Sequence, residues 1–302
     1  MPTATVNLAS KYAPKVDERF SRTSQANLAL NNDYSFQGVR TVNVYSIPTV
    51  PLSNYNRTGS SNRYGAPQNL TNEVQELTVT RDRSFAFVID KADKTQTQMT
   101  MDAGRALARE LREVVIPEYD RYAFWTLANA AAGNAGLNIT GTGQTATTAA
   151  TKQNAYELFL NAQEALGNAN VPDSGRVCFC SYKYANLLKQ DPSFMIQSQR
   201  SKEMVDRGIM GEVDGVKIVK VPASRLPTGA VFLLTHPVAA CGPKQLNEHK
   251  THIDPPGISG WLVEGRVLYD VFVLNEKKKA IFYHGTAPNG AFTEGPASPE
   301  PT

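Results

Sequence analysis

The chain has 302 residues, 41% of them hydrophobic and 20% charged, enough for a sizeable core without disulfide staples. Its 31 Lys and Arg against 28 Asp and Glu give a net charge of +3, which excludes the strongly basic profile of a dedicated nucleic-acid binder. Three cysteines, Cys178, Cys180 and Cys241, exclude a disulfide framework, and neither a signal-peptide core nor a membrane-length apolar run is present, so folding in a reducing cytoplasm is expected.

Residues 1–40 are polar and irregular, with a turn cluster at Asn31-Asn32-Asp33. Lys11, Lys15, Arg19, Arg22 and Arg40 outnumber Asp17, Glu18 and Asp33. This arm is either a loosely packed terminus or a segment that orders against a neighbouring subunit. The alternation of Val42 and Val44 with polar neighbours then predicts a strand over 39–45, punctuated by Pro48 and Pro51. Residues 53–72 are rich in Asn, Ser, Gly and Arg. Alternation resumes at Val74, Leu77 and Val79 and continues through Phe85, Phe87 and Ile89. Two strand-like stretches around a polar tip predict an extended β-hairpin with too little apolar surface for its own core, marginal unless it lies on something else.

A long helix is predicted next. Thr95-x-x-Gln98 matches a capping box, and Leu107, Leu111, Val114, Val115, Tyr119 and Tyr122 form one apolar stripe. Asp102, Arg105, Arg109, Glu113 and Arg121 supply a charged face. Pro117 should kink the helix or end its first segment, before an apolar continuation over Tyr122–Ala132 that contains Trp125. Residues 133–148 read as a loop.

From Thr151 to Cys241 the pattern is compact α/β. Ala155, Leu158, Phe159, Ala162 and Leu166 form a helical stripe that Gly167 is placed to end. Residues 176–180 read as a buried strand. Ser181 is placed to cap a helix that stops at Asp191-Pro192. Asp214-Gly215 between valines signals a tight hairpin, followed by strands over 216–221 and 230–234. The chain closes with strands over 261–274, a polar turn over 275–279 and a strand over 280–283. Residues 285–302, Pro/Gly-rich with no apolar period, read as disordered.

No constellation carries convincing chemistry. His249-x-x-His252 with Asp254 has metal-ligand types but no helix to align the rings, so solvated surface histidines are expected. Cys178-x-Cys180 lacks redox or zinc spacing, and in a strand its thiols share one face. Cys178 or Cys241 with His236 would be the nucleophile pair of a cytoplasmic cysteine hydrolase, but buried inert thiols are the better reading. Ser60 and Ser61 have no nucleophile-elbow setting, Gly141-Thr142-Gly143 is no phosphate cradle, and Lys277-Lys278-Lys279 suits an exposed turn. No catalytic, cofactor-binding or metal residue is assigned, no cofactor is implied, and the chain reads as a non-enzyme.

The order of these parts resembles the major capsid protein of tailed bacteriophages, with its HK97-like fold. Three stretches carry the resemblance. Leu77–Asp90 (LTVTRDRSFAFVID) is similar to the returning strand of that family's extended loop. Gly208–Pro222 (GIMGEVDGVKIVKVP) is similar to a stretch of the axial domain. Gly260–Val271, with the turn at Asn275–Lys279, resembles the closing strands of the peripheral domain. The resemblance spans about Gln37 to His284.

It implies an α+β fold of six parts: an N-terminal arm (1–40), an extended β-hairpin loop with flanking strands (41–94), a peripheral domain with a long spine helix (95–150), an axial α/β domain (151–241), closing strands of the peripheral domain (242–284) and a flexible tail (285–302). The loop proper, about Thr49 to Asp90, would lie over an adjacent subunit. The implied function is a virion shell subunit, assembled in the host cytoplasm into hexamers and pentamers around double-stranded DNA held without sequence specificity. Its implied partners are copies of itself, a portal, and scaffolding or decoration proteins, with no membrane. Some relatives crosslink through a loop Lys, but no Lys occurs between Lys15 and Lys91 here, so that route is not expected. Some carry a long scaffolding segment, whereas only about forty residues precede the first strand, so scaffolding would come from a separate protein or not be needed. An encapsulin-like cellular shell with protein cargo, the cysteine hydrolase and a nucleic-acid-binding module are the alternatives.

Overall fold

Residues 24–34, 36, 40–59, 61–96, 103–191, 193 and 209–293 are described by the structure, a computed structural model. The arm residues Lys11, Lys15, Arg19 and Arg22, the Gln98 of the expected capping box, Ser60 and the last nine residues lie outside them.

Strands β1 (Thr41–Ser46) and β2 (Glu73–Thr78) form a two-stranded antiparallel ladder, Thr41 opposite Thr78 and Ser46 opposite Glu73. The expected returning strand over 74–90 is split. β3 (Arg81–Asp90) leaves that ladder after Thr80 and enters another sheet. The break has a physical cause: the backbone N–H and the hydroxyl of Thr80 both donate to the buried Asp270 carboxylate, at 2.9 and 3.0 Å, which turns the chain.

The helix signal is displaced too. α1 (Lys91–Gln96) starts four residues before Thr95, and Asp90 supplies the cap by accepting from the Ala92 N–H at 2.7 Å. α2 (Ala103–Glu110) runs through a π-helical turn (Leu111–Val115) into α3 (Ile116–Ala132). Pro117 therefore neither ends the helix nor stands alone as a breaker. It has no N–H to give, and the wider turn before it, with the Ile116 N–H bonded to the Leu111 carbonyl, absorbs the mismatch. α3 buries Tyr119, Ala123, Phe124, Leu127 and Ala131, whereas α2 buries nothing fully.

The remaining elements are β4 (Thr145–Ala146), α4 (Ala155–Asn168), β5 (Val177–Ser181), α5 (Tyr182–Gln190), β6 (Ile209–Val213), β7 (Val216–Val221), β8 (Ala230–Thr235), β9 (Ala240–Cys241), β10 (Lys244–Ile253), β11 (Gly260–Tyr269), β12 (Phe272–Val273) and β13 (Ile281–Gly285). Six strands form one sheet in the order β4-β13-β8-β5-β7-β6. The unit expected over 151–241 is thus completed from outside: β4 comes from the expected loop and β13 from the end of the chain. Asp214 and Gly215 turn β6 into β7 with positive φ at both, 49° and 75°, the conformation that dipeptide favours. The Ser181 side chain caps α5 by accepting from the Tyr184 N–H. α4 runs one residue past Gly167, and the left-handed turn after it falls on Asn170 at φ 58°.

Alternation in β5 puts Phe179 and Cys180 on opposite faces, and Cys180 pairs with Phe232 of β8. Phe124 of α3 packs on Phe179 with ring centroids 5.0 Å apart, and Tyr184 of α5 stacks on Phe232 at 4.7 Å. Helices thus cover both faces, and β5 and β13 are buried at every position.

The second sheet, β10-β11-β3, is antiparallel. Its β10 carries no alternation that marks a strand within 242–284: the sequence KQLNEHKTHI is polar because the strand lies at an edge with four of its five last residues exposed. One face of the sheet, with Phe85, Phe87, Val263 and Val267, lies toward the helical side. The other carries Asp82, Ser84, Ala86, Val88, Glu264 and Arg266 in the open. The expected polar turn over 275–279 is a 3₁₀-helix (Asn275–Ala280).

Candidate assembly surfaces

Among the described residues, large exposed hydrophobic side chains concentrate on the hairpin: Tyr45, Ile47, Val50, Leu52, Tyr55, Tyr64, Leu70 and Val74. Ile47 is 73% exposed and Tyr64 85%. The hairpin tip is nevertheless ordered by its own polar groups. The Asn56 side chain accepts from the N–H groups of Thr58 and Gly59 at 3.1 and 3.0 Å, the Arg63 Nε donates to the Gly59 carbonyl at 2.7 Å, and Tyr55 packs edge-on against Tyr64 at 5.0 Å. Among the described residues, nothing covers the apolar side chains of this preshaped loop, which makes it a candidate contact surface.

The hairpin root is fixed in two ways. A satellite core of Phe36, Leu77, Val79 and Leu274 packs beneath it, with Phe36 stacked on Phe272 at 5.5 Å. Beside it, Arg81 and Arg83 each reach Glu118 of α3 at 2.9 Å, and Asp270 joins Thr80 to the Tyr122 hydroxyl at 2.8 Å. Burial, with the neighbouring Asp270 charge, pushes the Tyr122 phenol up, so it stays a proton donor to that carboxylate.

The arm root meets the same helix two residues on. Asp120, fully buried, accepts from the Ser24 hydroxyl at 2.7 Å, from the Gln25 and Ala26 N–H groups at 3.1 and 3.2 Å, and from Arg225 at 2.8 Å. Gln25 donates to the Lys220 carbonyl, and Lys244, its pKa lowered by burial, reaches Asn27 and lies over the Tyr119 ring. Sequence reasoning assigned no role to Asp120 or Glu118. The available signal was a carboxylate at 120 in helical register with Ala123, Phe124 and Leu127, a charge on the buried side of an amphipathic stripe.

The residues named for the cysteine-hydrolase alternative are poorly placed for it. All three thiols are buried. Burial pushes Cys180 up to about 12, Cys178 well above its ordinary value, and Cys241 up as well. Thiols held neutral in apolar surroundings are poor nucleophiles. His236 spends both ring nitrogens on backbone: Nδ1 accepts from the Val238 N–H at 3.1 Å and Nε2 lies 3.0 Å from the Ser174 carbonyl. His249 and His252 sit three apart in β10, which turns them to opposite faces. His249 lies by Phe85, and His252 by Glu264 at 3.3 Å. Among the described residues, no three His, Cys, Asp or Glu side chains converge as a metal site, and no helix is long and apolar enough to cross a membrane. The expected disordered tail is corrected for 286–293, where Phe292 packs on Tyr122 and Trp125.

No family model and no curated protein matches the sequence. Solved structures do. The chain is similar to a structure from Mycobacterium phage Che8, with a TM-score of 0.72 and 19% identity over 93% of this chain and 98% of that one. It is similar to the capsid of cyanophage P-SCSP1u (TM-score 0.68, 13% identity, 92% of each chain). It is also similar to the mature capsid of bacteriophage PhiM1 (TM-score 0.65, 14% identity, 92% of this chain and 91% of that one). The chain therefore has the fold of phage capsid proteins, an HK97-like α+β fold.

Proposed function

We propose that this chain is a major capsid protein whose copies assemble as hexamers and pentamers into an icosahedral phage head around double-stranded DNA. The observation that carries the reading is the ordered hairpin with its apolar side chains uncovered, on a fold shared with capsid structures. Burying that hairpin on an adjacent copy would supply the apolar contact a single chain lacks. In this reading the β1–β2 hairpin is the extended loop, α2 and α3 form the spine, the three-stranded sheet belongs to the peripheral domain, and the six-stranded block is the axial domain. The subunit acts as a structural protein of the virion, assembled in the host cytoplasm, with a portal and scaffolding or decoration proteins as further partners. A net charge of +3 suits a shell that encloses DNA without gripping it and must later release it.

The test is sedimentation velocity of the purified chain with negative-stain microscopy. Closed shells or ringed capsomers are expected. A persistent monomer whose hairpin is already protected from hydrogen exchange would overturn the reading. Because residues 16–90 contain no Lys, particles should run as a single band on denaturing electrophoresis, and a ladder of covalent multimers would refute the expected absence of loop crosslinks.

A further inference from the structure

Residues 286–293 return from β13 across α3. This stretch, TAPNGAFT, forms no helix or strand, so individual contacts hold it. The Phe292 ring meets Tyr122 edge-on, with centroids 5.4 Å apart, and Trp125 at 5.7 Å. The Arg81 guanidinium lies over Phe292 at 4.9 Å and over Tyr122 at 4.7 Å, and Arg121 lies over Phe292 at 5.5 Å. Arg121 also donates to the Thr293 carbonyl at 2.7 Å. Two residues before the ring, Asn134 pairs with the Gly290 backbone in both directions. Its Nδ2 donates to the carbonyl at 2.8 Å, and its Oδ1 accepts from the N–H at 3.0 Å. Asn134 is 1% exposed and also donates to the Asn129 side chain. Gly136 makes the approach possible: a Cβ there would fall 2.9 Å from the Gly290 nitrogen.

We propose that Tyr122, Trp125, Arg81, Arg121 and Asn134 form a peptide-binding slot, filled in cis by residues 289–293. The slot takes a bent segment whose glycine, at φ 76°, lies two positions before an aromatic residue. The guanidiniums face the ring's negative π cloud, so the anchor must be aromatic, while the Asn134 pair reads backbone. The slot also has a consequence at a distance. Arg81 opens β3 and, with Arg83, grips Glu118, so the tail's ring covers the ion pair that holds the hairpin root. Occupancy of the slot therefore sets how firmly the hairpin is held.

The test uses the full chain carrying Trp261→Phe, which leaves Trp125 as its single tryptophan. Adding Phe292→Ala removes the ring anchor and leaves only the backbone contacts of Gly290 and Thr293 in cis. A synthetic peptide of residues 286–302 should then change Trp125 emission saturably, and the same peptide with Ala at the Phe292 position should not. The chain that keeps Phe292 should respond far less, because its own tail competes. Hydrogen exchange at amides 80–83 should speed several-fold in Phe292→Ala and slow again on adding the peptide. Gly136→Ala, which leaves every slot side chain in place but blocks the backbone approach, should abolish peptide binding. The proposal fails if the Phe292→Ala chain, folded by circular dichroism, gives no saturable response at millimolar peptide. It fails equally if the Ala peptide binds as well, or if exchange at 80–83 is unchanged.

Discussion

Strands β7 and β1 have similar apolar content and opposite fates. In β7, Val216, Ile218, Val219 and Val221 are buried, because the strand lies inside a sheet packed against α5. In β1, Val42 and Val44 are only half-buried, and Tyr45 is 64% exposed. Strand propensity cannot distinguish them, since both are rich in β-branched residues with polar ones between. The difference is coverage. The six-stranded block is completed by its own chain, whereas the hairpin is completed at its root and left open toward its tip. The first region should report its mutations as stability of the single chain, and the second as association.

The sharpest contrast should come from Phe179→Ala. Phe179 is fully buried and packs on Phe124, so truncation should cost about 3–5 kcal/mol in urea unfolding of the unassembled chain. A loss below about 1 kcal/mol would mean that the block too depends on neighbours for its packing. Asp120→Ala comes next. It strips the buried Arg225 of its carboxylate and the arm root of three bonds, so about 3 kcal/mol is expected, with hydrogen exchange at amides 25 and 26 rising in step. An arm root still protected in that variant would show that the Asn31 bonds to the Ala240 and Gly242 backbone hold it without Asp120.

The sequence made the two regions unequally legible. Local signals were strong where neighbours along the chain settle the outcome. The Asp214-Gly215 turn, the Ser181 cap, the stripe of α4 and the apolar run of β5 are of this kind. Signals failed where a distant residue decides. β10 is polar because it sits at an edge, and β2 parts from β3 because Asp270, 190 positions away, captures Thr80. The π turn before Pro117 is a compromise between a missing N–H and a helix that other contacts keep intact. Among the assembly surfaces, the hairpin's lack of a core was readable from composition. The carboxylates that anchor the hairpin and arm roots were not, because Glu118 and Asp120 look like ordinary helical charges until their partners are placed. Phe292 was hidden by a tail whose composition suggests disorder.

A smaller effect, again confined to the block, should appear with pH. His284 is buried on β13, stacked on Phe232 at 4.9 Å, with Nε2 against the Thr148 carbonyl at 2.7 Å. Burial lowers its pKa below the ordinary 6.5, so the folded state favours the neutral ring. As pH falls below about 6.5, the unfolded chain takes up a proton that the folded chain resists, and stability should fall. His284→Gln should flatten that part of the urea-midpoint profile between pH 7.5 and 5. An unchanged slope would assign the acid sensitivity to other groups.

The smallest effect on the single chain should belong to Leu52→Ser, and it carries the comparison furthest. Leu52 sits on the hairpin tip, fully exposed, so removing its side chain takes away no packing with the other described residues. Its unfolding free energy should stay within about 0.5 kcal/mol of the unaltered chain. If the hairpin buries Leu52 on an adjacent copy, the lost burial of about 1.5–3 kcal/mol per contact recurs at every subunit of a closed shell. The concentration needed for assembly should therefore rise at least tenfold by sedimentation, with no change in circular dichroism. Phe179→Ala should do the reverse, lowering stability strongly while leaving the hairpin surface intact. A Leu52→Ser chain that assembles at the same concentration would move the contact surface elsewhere, most directly to the open face of the three-stranded sheet around Glu264 and Arg266.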